Sequence, residues 1–257
     1  MDNLPKPNPI KGKGHIFVLG ITRSGKSWYS MFKLMFAPPE KYSGRPSGLH
    51  EVNIFVDTNN STRDPDYIRE LLKMNKVYHN TVAIAHNVEE FTDDFANMKI
   101  KFIIVQPGLL EEIGEFAAKV EQIIDIVRNT QATTPSSMRP TINLYLDEIS
   151  ALAPKWSEST VSFIFTRGAI LKIYGIAISQ RPALCNKTIY CEAMNTVVFK
   201  LKNEDYVGLK RFGLDVPFEV QRDIAAHKWL YYVYDGTTWT RGEHEGRGRP
   251  SKVKVER

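Results

Sequence analysis

One stretch of eight residues, GITRSGKS at 20–27, constrains this chain more than any other. It follows an apolar run, HIFVLG, and precedes a segment of helical character, WYSMFKLMF. A glycine-rich turn between a strand and a helix directs backbone N–H groups, and the positive end of the helix dipole, toward an anion. The pattern G-x-x-x-x-G-K-[ST] in this context predicts a phosphate-binding loop in an α/β protein.

The residues of the loop have distinct expected tasks. Gly20 and Gly25 let the backbone wrap around phosphates, Lys26 reaches the β- and γ-phosphates, and the Ser27 hydroxyl is a ligand for Mg²⁺. Arg23 is expected to be solvated rather than catalytic. ATP and Mg²⁺ are the predicted cofactors. The predicted nucleotide-binding residues are Gly20, Ile21, Thr22, Arg23, Ser24, Gly25, Lys26 and Ser27.

Short apolar runs alternate with helical patterns along the rest of the chain. This alternation predicts βαβ units and a mainly parallel sheet. One long amphipathic helix is predicted over 109–127, and Asp64 followed by Pro65 is typical of a helix start. Asp235-Gly236 between two apolar runs predicts a hairpin with a two-residue turn. The predicted strands are 15–20, 52–57, 100–106, 142–147, 174–179 and 195–201.

The stretch INLYLDEIS at 142–150 places Asp147 and Glu148 at the carboxyl end of a predicted strand. Ligands bind at that end in open α/β sheets. Asp147 is predicted to hold Mg²⁺ through its water shell, and Glu148 to polarise the water that attacks the γ-phosphate. Such an acidic pair can instead cap the next helix. Its occurrence together with a phosphate loop favours the catalytic role, and therefore a nucleotide hydrolase.

A third stretch, GIAISQRP at 175–182, ends an apolar strand with polar side chains. If 142–147 is the acidic strand, this is the next parallel strand, and its carboxyl end lies beside the nucleotide. Gln180 is therefore predicted to hydrogen-bond the γ-phosphate or the attacking water. The alternative is a glutamine whose amide is satisfied by loop backbone.

These three stretches, in this order and spacing, resemble the HerA/FtsK superfamily of DNA-pumping ATPases over about residues 14–205. The superfamily's sensor strand commonly ends in Thr-Gln-Arg-Pro, and Ser179 stands here in place of the threonine. The resemblance implies a RecA-like (ASCE) P-loop NTPase fold with a mainly parallel central sheet, a C-terminal β-hairpin and a flexible basic tail.

The same resemblance implies an arginine that acts on the nucleotide of a neighbouring subunit. The matching residue in FTRGAILKIYG is Arg167, with Arg181 as its competitor and an exposed arginine without a special task as the alternative. Superfamily members are typically hexamers with DNA in the central channel, so double-stranded DNA and further copies of the chain are the implied partners. The expected catalytic residues are Lys26, Glu148, Arg167 and Gln180.

The position of the phosphate loop narrows the resemblance. A loop that begins at Gly20 is preceded by too few residues for the N-terminal barrel of HerA or the membrane and linker regions of FtsK. Compact viral genome-packaging ATPases fit this size, which adds capsid or portal-vertex proteins as expected partners. No apolar run approaches the roughly 18 residues of a membrane span. The expected location is a reducing cytoplasm, that of the host if the protein is viral, or the virion.

The formal charge of +5 and a pI of about 9.0 favour an acidic partner such as nucleic acid. In the tail, Arg247-Gly248-Arg249-Pro250 resembles the core of an AT-hook, which lies in the narrow minor groove of A·T-rich DNA. A solvated basic tail is the alternative. The predicted DNA-binding residues are Arg247, Arg249, Lys252 and Lys254.

Residues 1–241 are predicted to form the ATPase domain and 242–257 the tail. Lys41 and Arg45 in the loop 37–50 are candidates for contacts in the DNA channel. The two cysteines and six histidines show no disulfide framework or zinc spacing.

Three other functions remain open at this stage. The first is a superfamily ATPase that moves DNA in conjugation or filamentous-phage export. The second is a monomeric P-loop kinase, which Glu148 and Gln180 disfavour. The third is a DNA-binding regulator that uses ATP only as a switch. A GTPase is disfavoured because no Asn-Lys-x-Asp follows the loop.

Overall fold

The computed structural model describes residues 14–36, 51–108, 110–155, 159–227 and 229–243. Within them, nine strands form one sheet in the order β3-β4-β2-β5-β6-β1-β7-β8-β9. The strands are β1 His15–Leu19, β2 Glu51–Val56, β3 Val82–Ala85, β4 Phe102–Val105, β5 Thr141–Leu146, β6 Ile173–Ser179, β7 Ala193–Val198, β8 Leu230–Tyr234 and β9 Trp239–Glu243.

Helices cover both faces of this sheet. They are α1 Lys26–Tyr29, which continues as a π-helical segment Ser30–Met35, α2 Pro65–Asn75, α3 Val88–Ala96, α4 Ile113–Thr133, α5 Ile149–Leu152, α6 Thr160–Arg167, α7 Lys187–Cys191, α8 Asn203–Arg211 and α9 Phe218–Ala226. No helix within the described ranges is long and apolar enough to span a bilayer.

Strands β1 to β7 pair in parallel wherever they are neighbours, and β8 and β9 extend the sheet as an antiparallel hairpin. The parallel part is buried on both faces, which is why its strands are continuously apolar. All six residues of β5 are buried, for example. The predicted fold class, with its mainly parallel sheet and C-terminal hairpin, is confirmed. Of the predicted basic tail, residues 242 and 243 belong to β9, and the rest lies outside the described residues.

The sheet separates two apolar cores. Helices α3, α4 and α6 to α9 contribute to the core on one face, where Phe91, Phe116 and Phe165 are fully or almost fully buried. Helices α1 and α2 contribute to the core on the other face, around Tyr29 and Phe199. Because β1, β2, β5 and β6 pair in parallel, their carboxyl ends meet at one edge of the sheet.

All six predicted strands are present, and the structure adds β3, a four-residue edge strand. The long helix starts later than predicted. Leu110 is 96% exposed, and the helix begins at Ile113 after a capping box between Glu112 and Glu115. The predicted start at Asp64 is confirmed, because its carboxylate accepts a hydrogen bond from the Asp66 N–H.

The prediction of a two-residue hairpin turn is wrong. Tyr234 pairs with Trp239, so the loop contains four residues, 235–238. The Asp235 carboxylate accepts hydrogen bonds from the N–H groups of Thr237 and Thr238, at 3.1 and 2.8 Å. These bonds close a wider turn than a type I′ turn would need.

A candidate nucleotide-binding site

The 20–27 loop lies between strand β1 and helix α1, at the edge where the carboxyl ends of the parallel strands meet. The Gly20 N–H donates to the Ser179 carbonyl at 3.1 Å, and the Ile21 N–H donates to the Lys200 carbonyl at 2.8 Å. These bonds fasten the start of the loop to the strand ends on both sides. Gly25, with φ of 97°, turns the chain into α1. The loop has the strand–turn–helix geometry of an anion cradle.

Gly20 is required at its position by close packing. A Cβ atom there would lie 2.3 Å from the Ser24 Oγ and 2.8 Å from the Phe199 Cβ, both closer than real contacts allow. The Ser24 Oγ itself is buried and has no hydrogen-bond partner among the described residues. An unsatisfied hydroxyl inside the loop fits a site that receives a hydrogen-bonding ligand such as phosphate.

This packing leads to a matched pair of variants. Gly20→Ala is expected to displace the loop and weaken nucleotide binding about tenfold or more, because a shift of this size misaligns several N–H donors at once. Gly114→Ala in helix α4 is the control, since a Cβ there meets nothing within 4 Å. Isothermal titration with ATP measures both. Equal affinities for the two variants would contradict the assignment of the loop.

Lys26 is the first residue of α1, and its side chain is only 5% exposed. Burial lowers the pKa of the Lys26 ammonium, and the carboxylates of Asp147 and Glu148 act in the opposite direction. The lysine therefore lies within electrostatic reach of Asp147, the predicted metal ligand, and Glu148, the predicted base. A buried ammonium at the mouth of an N–H cradle is suited to phosphate charge.

Asp147 follows β5 and is fully buried. Its Oδ1 lies 3.5 Å from the Ser27 hydroxyl. The pKa of Asp147 is raised to about 7, mainly by burial and also by the nearby Asp57 carboxylate, while Lys26 and a hydrogen bond from Asn59 oppose the shift. The negative charge of the Asp147 carboxylate is only partly compensated by Lys26. Together with the Ser27 hydroxyl, this carboxylate forms a set of oxygen ligands that fits Mg²⁺.

Glu148 occupies the turn between β5 and α5 with φ of 50° and ψ of 58°, a left-handed conformation unusual for a residue with a side chain. Its Oε1 accepts a hydrogen bond from the Ser150 hydroxyl at 2.7 Å. Its Oε2 is buried and has no hydrogen-bond partner within the described part of the chain. The second predicted acid thus has one free oxygen near Lys26.

The loop 57–62, which follows β2, is a part of the site that no sequence motif indicates. The Asn59 amide donates to the Asp147 Oδ2 at 3.3 Å, and the Thr58 hydroxyl donates to the Asp147 carbonyl. The buried Asp57 carboxylate accepts hydrogen bonds from the N–H groups of Ser61 and Thr62 and so folds this loop. In sequence, VDTNNST looks like an ordinary polar turn; only the pairing of β2 with β5 places it here.

Gln180 lies at the end of β6, as predicted, and its Oε1 accepts a hydrogen bond from the hydroxyl of Thr22. The end of strand β6 therefore touches the 20–27 loop directly. Ser179, which stands where the resemblance has threonine, is fully buried, and its Oγ accepts from the Arg181 N–H at 3.0 Å. The hydroxyl thus shapes the turn that presents Gln180.

A cleft of about 420 Å³ opens beside this contact. Its walls include Gln180, Arg181 and the loop residues Ile21 and Thr22. Arg181 therefore lies at the site of its own chain. Burial raises the pKa of the Asp205 carboxyl, and the nearby Arg181 guanidinium acts in the opposite direction.

Arg167 lies elsewhere. It is the exposed last residue of α6, close to the amino end of β6, whereas Gln180 follows the carboxyl end. The seven residues of β6 separate these ends by about 20 Å. Arg167 is thus too far away to contact a nucleotide in its own chain. The structure brings Lys26, Ser27, Asp147, Glu148 and Gln180 together and leaves Arg167 apart; the predicted DNA contacts of the tail lie outside the described residues, as do Lys41 and Arg45.

The sheet and the loop together define the fold of a RecA-like P-loop NTPase. Strand β6 lies between β1, which precedes the loop, and β5, so Gln180, Asp147 and Glu148 follow adjacent strand ends beside the loop.

No protein-family model and no curated protein matches the chain. Solved structures do match. The genome-packaging NTPase B204 from Sulfolobus turreted icosahedral virus 2, in complex with sulfate, has a TM-score of 0.60 and 13% identity, over 91% of this chain and 100% of that one. Its complex with AMPPCP has a TM-score of 0.59 and 14% identity, over 90% and 97% of the two chains.

B204 from Sulfolobus turreted icosahedral virus, described as a DNA-packaging ATPase, has a TM-score of 0.55 and 13% identity, over 90% of this chain and 97% of that one. The predicted resemblance to compact viral packaging ATPases is therefore confirmed at the level of the fold.

Proposed function

We propose that this protein is an ATPase that translocates double-stranded DNA, as the motor that packages a viral genome into a capsid. One observation carries the chemical part of the proposal: Lys26, Asp147, Glu148 and Gln180 converge on a single phosphate loop. These side chains supply a cation for phosphate, a carboxylate for a metal, a base for water and an amide that contacts the loop. A simple nucleotide-binding protein needs no base at this position.

Each group has a defined role in the reaction. The loop N–H groups and the Lys26 ammonium hold the phosphates and stabilise charge that develops on the γ-phosphoryl group. Mg²⁺ held by Ser27 and Asp147 would supply Lewis-acid stabilisation of the same charge. The free Oε2 of Glu148 accepts a proton from the attacking water. Asn59 keeps the Asp147 carboxylate oriented through its hydrogen bond to Oδ2.

Gln180 connects hydrolysis to movement in this proposal. Its side chain is hydrogen-bonded to Thr22, which belongs to the phosphate loop. Thr22 donates to the Oε1 of the amide, so a γ-phosphate oxygen in the loop would accept a hydrogen bond from the Nε2 of the same amide. Loss of that phosphate removes this hydrogen bond and lets the turn 180–184, which forms part of the cleft wall, shift.

The DNA part of the proposal is supported by the net charge of +5 and by the similarity in fold to proteins described as genome-packaging enzymes. Arg167 lies too far from the loop of its own chain, so a role of this arginine in hydrolysis requires a nucleotide bound to a second copy of the chain. We propose a hexameric ring in which Arg167 acts in trans, with capsid or portal proteins as further partners. The proposed tail contacts to DNA are Arg247, Arg249, Lys252 and Lys254.

ATP turnover with and without duplex DNA, measured together with the mass of the oligomer, tests this function. The proposal predicts Mg²⁺-dependent release of phosphate, several times faster with duplex DNA, by a ring. Equal rates with and without DNA from a monomer would contradict the translocase. Stoichiometric transfer of phosphate to a small acceptor would indicate the kinase instead.

A further inference from the structure

The turn between β5 and α5 fixes the backbone position from which the Glu148 side chain extends. Residues other than glycine rarely adopt the left-handed φ and ψ of Glu148, and those that do are often found at functional sites. The Glu148 carbonyl also accepts the Ala151 N–H at 2.9 Å, so the same residue begins helix α5. The backbone of Glu148 is therefore held by the first turn of the helix.

The two carboxylate oxygens of Glu148 have different surroundings. Oε1 accepts the hydroxyl of Ser150 at 2.7 Å, whereas Oε2 is buried without a hydrogen-bond partner among the described residues. Ser150 is the second residue of α5, so the residue four earlier, Leu146, belongs to strand β5 and offers no helical carbonyl to the hydroxyl. The Ser150 hydroxyl donates to the Glu148 side chain.

We propose that Ser150 is a positioning residue for Glu148, whose hydroxyl holds Oε1 so that Oε2 faces the attacking water. This inference rests on the proposed ATPase function. The left-handed backbone and the Ser150 hydroxyl fix the carboxylate at two points and leave one oxygen available as the base. Fixing both points before the reaction removes the need to order the base during it.

Removing the hydroxyl gives a specific kinetic result. Ser150→Ala is expected to lower kcat for ATP about tenfold, the usual scale for a group that orients a catalytic side chain, while the Kd for ATP stays within about twofold. Ser150→Thr keeps the hydroxyl and should restore kcat. Ser162→Ala is the control, because that hydroxyl contacts Asn186 at 3.4 Å rather than Glu148.

A double-mutant cycle separates positioning from a structural role. In a Glu148→Gln background, Ser150→Ala should change the residual single-turnover rate by no more than about twofold, because the base it serves is gone. If Ser150→Ala does not fold, Ser150→Thr against Ser150→Val makes the same comparison with side chains of equal size.

Three results would overturn the inference. They are parental kcat in Ser150→Ala, a tenfold loss that persists in the Glu148→Gln background, and a raised Kd for ATP with unchanged kcat. Absence of ATP turnover in the unmodified chain would contradict the proposed function, and this inference with it. If the unmodified chain does hydrolyse ATP, any of the three results refutes the role of Ser150 and leaves the proposed ATPase function standing.

Discussion

Lys26→Ala is expected to reduce ATP turnover by about a hundredfold or more. The substitution removes the buried cation of the phosphate loop, whereas the other cation of the loop, Arg23, is exposed. The Lys26 ammonium also offsets the negative charge of Asp147 and Glu148. Its loss leaves two acids facing a polyphosphate, so nucleotide affinity should fall together with kcat. Phosphate release and ATP titration measure the two effects separately.

The control for this variant is Lys33→Ala, which removes a lysine from the same helical segment, outside the loop. That variant should keep parental turnover. Thermal unfolding of both variants shows whether the fold survives. A folded Lys26→Ala protein with undiminished turnover would contradict the assignment of 20–27 as the nucleotide site.

Glu148→Gln is expected to lower kcat about a thousandfold while ATP affinity changes little, because glutamine keeps the shape but cannot accept the proton of water. The variant should therefore trap ATP. Glu204→Gln is the matched control, since Glu204 lines the cleft next to the loop but is exposed. Retained turnover in Glu148→Gln would leave Glu148 as a structural residue of the β5–α5 turn.

The same variant tests whether Arg167 acts on a neighbouring subunit. Rings of Glu148→Gln or Arg167→Ala alone should be inactive. When the two are mixed in equal amounts, about a quarter of the interfaces pair an intact Glu148 with an intact Arg167 if the ring is head-to-tail. Partial recovery of ATP turnover is the expected result. No recovery at any ratio would contradict the action in trans.

The parts of the fold that could be predicted are those with a strong local signal. The phosphate loop, the acidic pair and six strands each combine an apolar run with a sharp change in residue type. Strand β3, VAIA, has no such contrast, and it is only four residues long at the edge of the sheet. The extended chain there is stabilised by pairing with β4, which a local pattern does not report.

The sequence predicted those residues of the site that belong to a recognisable motif. Ser27, Asp147 and Gln180 lie where their motifs indicate. The roles of Asn59 and Ser150 depend on contacts made after folding, the first across the β2–β5 pairing and the second within a left-handed turn. Arg167 shows the same limit in another form, because its spacing from Gln180 in sequence does not reveal that it lies at the opposite edge of the sheet.

The most direct test of the central claim is ATP-driven displacement of a third strand from a DNA triplex, which only movement along the duplex produces. The account predicts displacement by the parental protein with ATP and Mg²⁺, and none by Glu148→Gln or with a non-hydrolysable ATP analogue. ATP turnover by the parental protein on the same DNA without any displacement would contradict it.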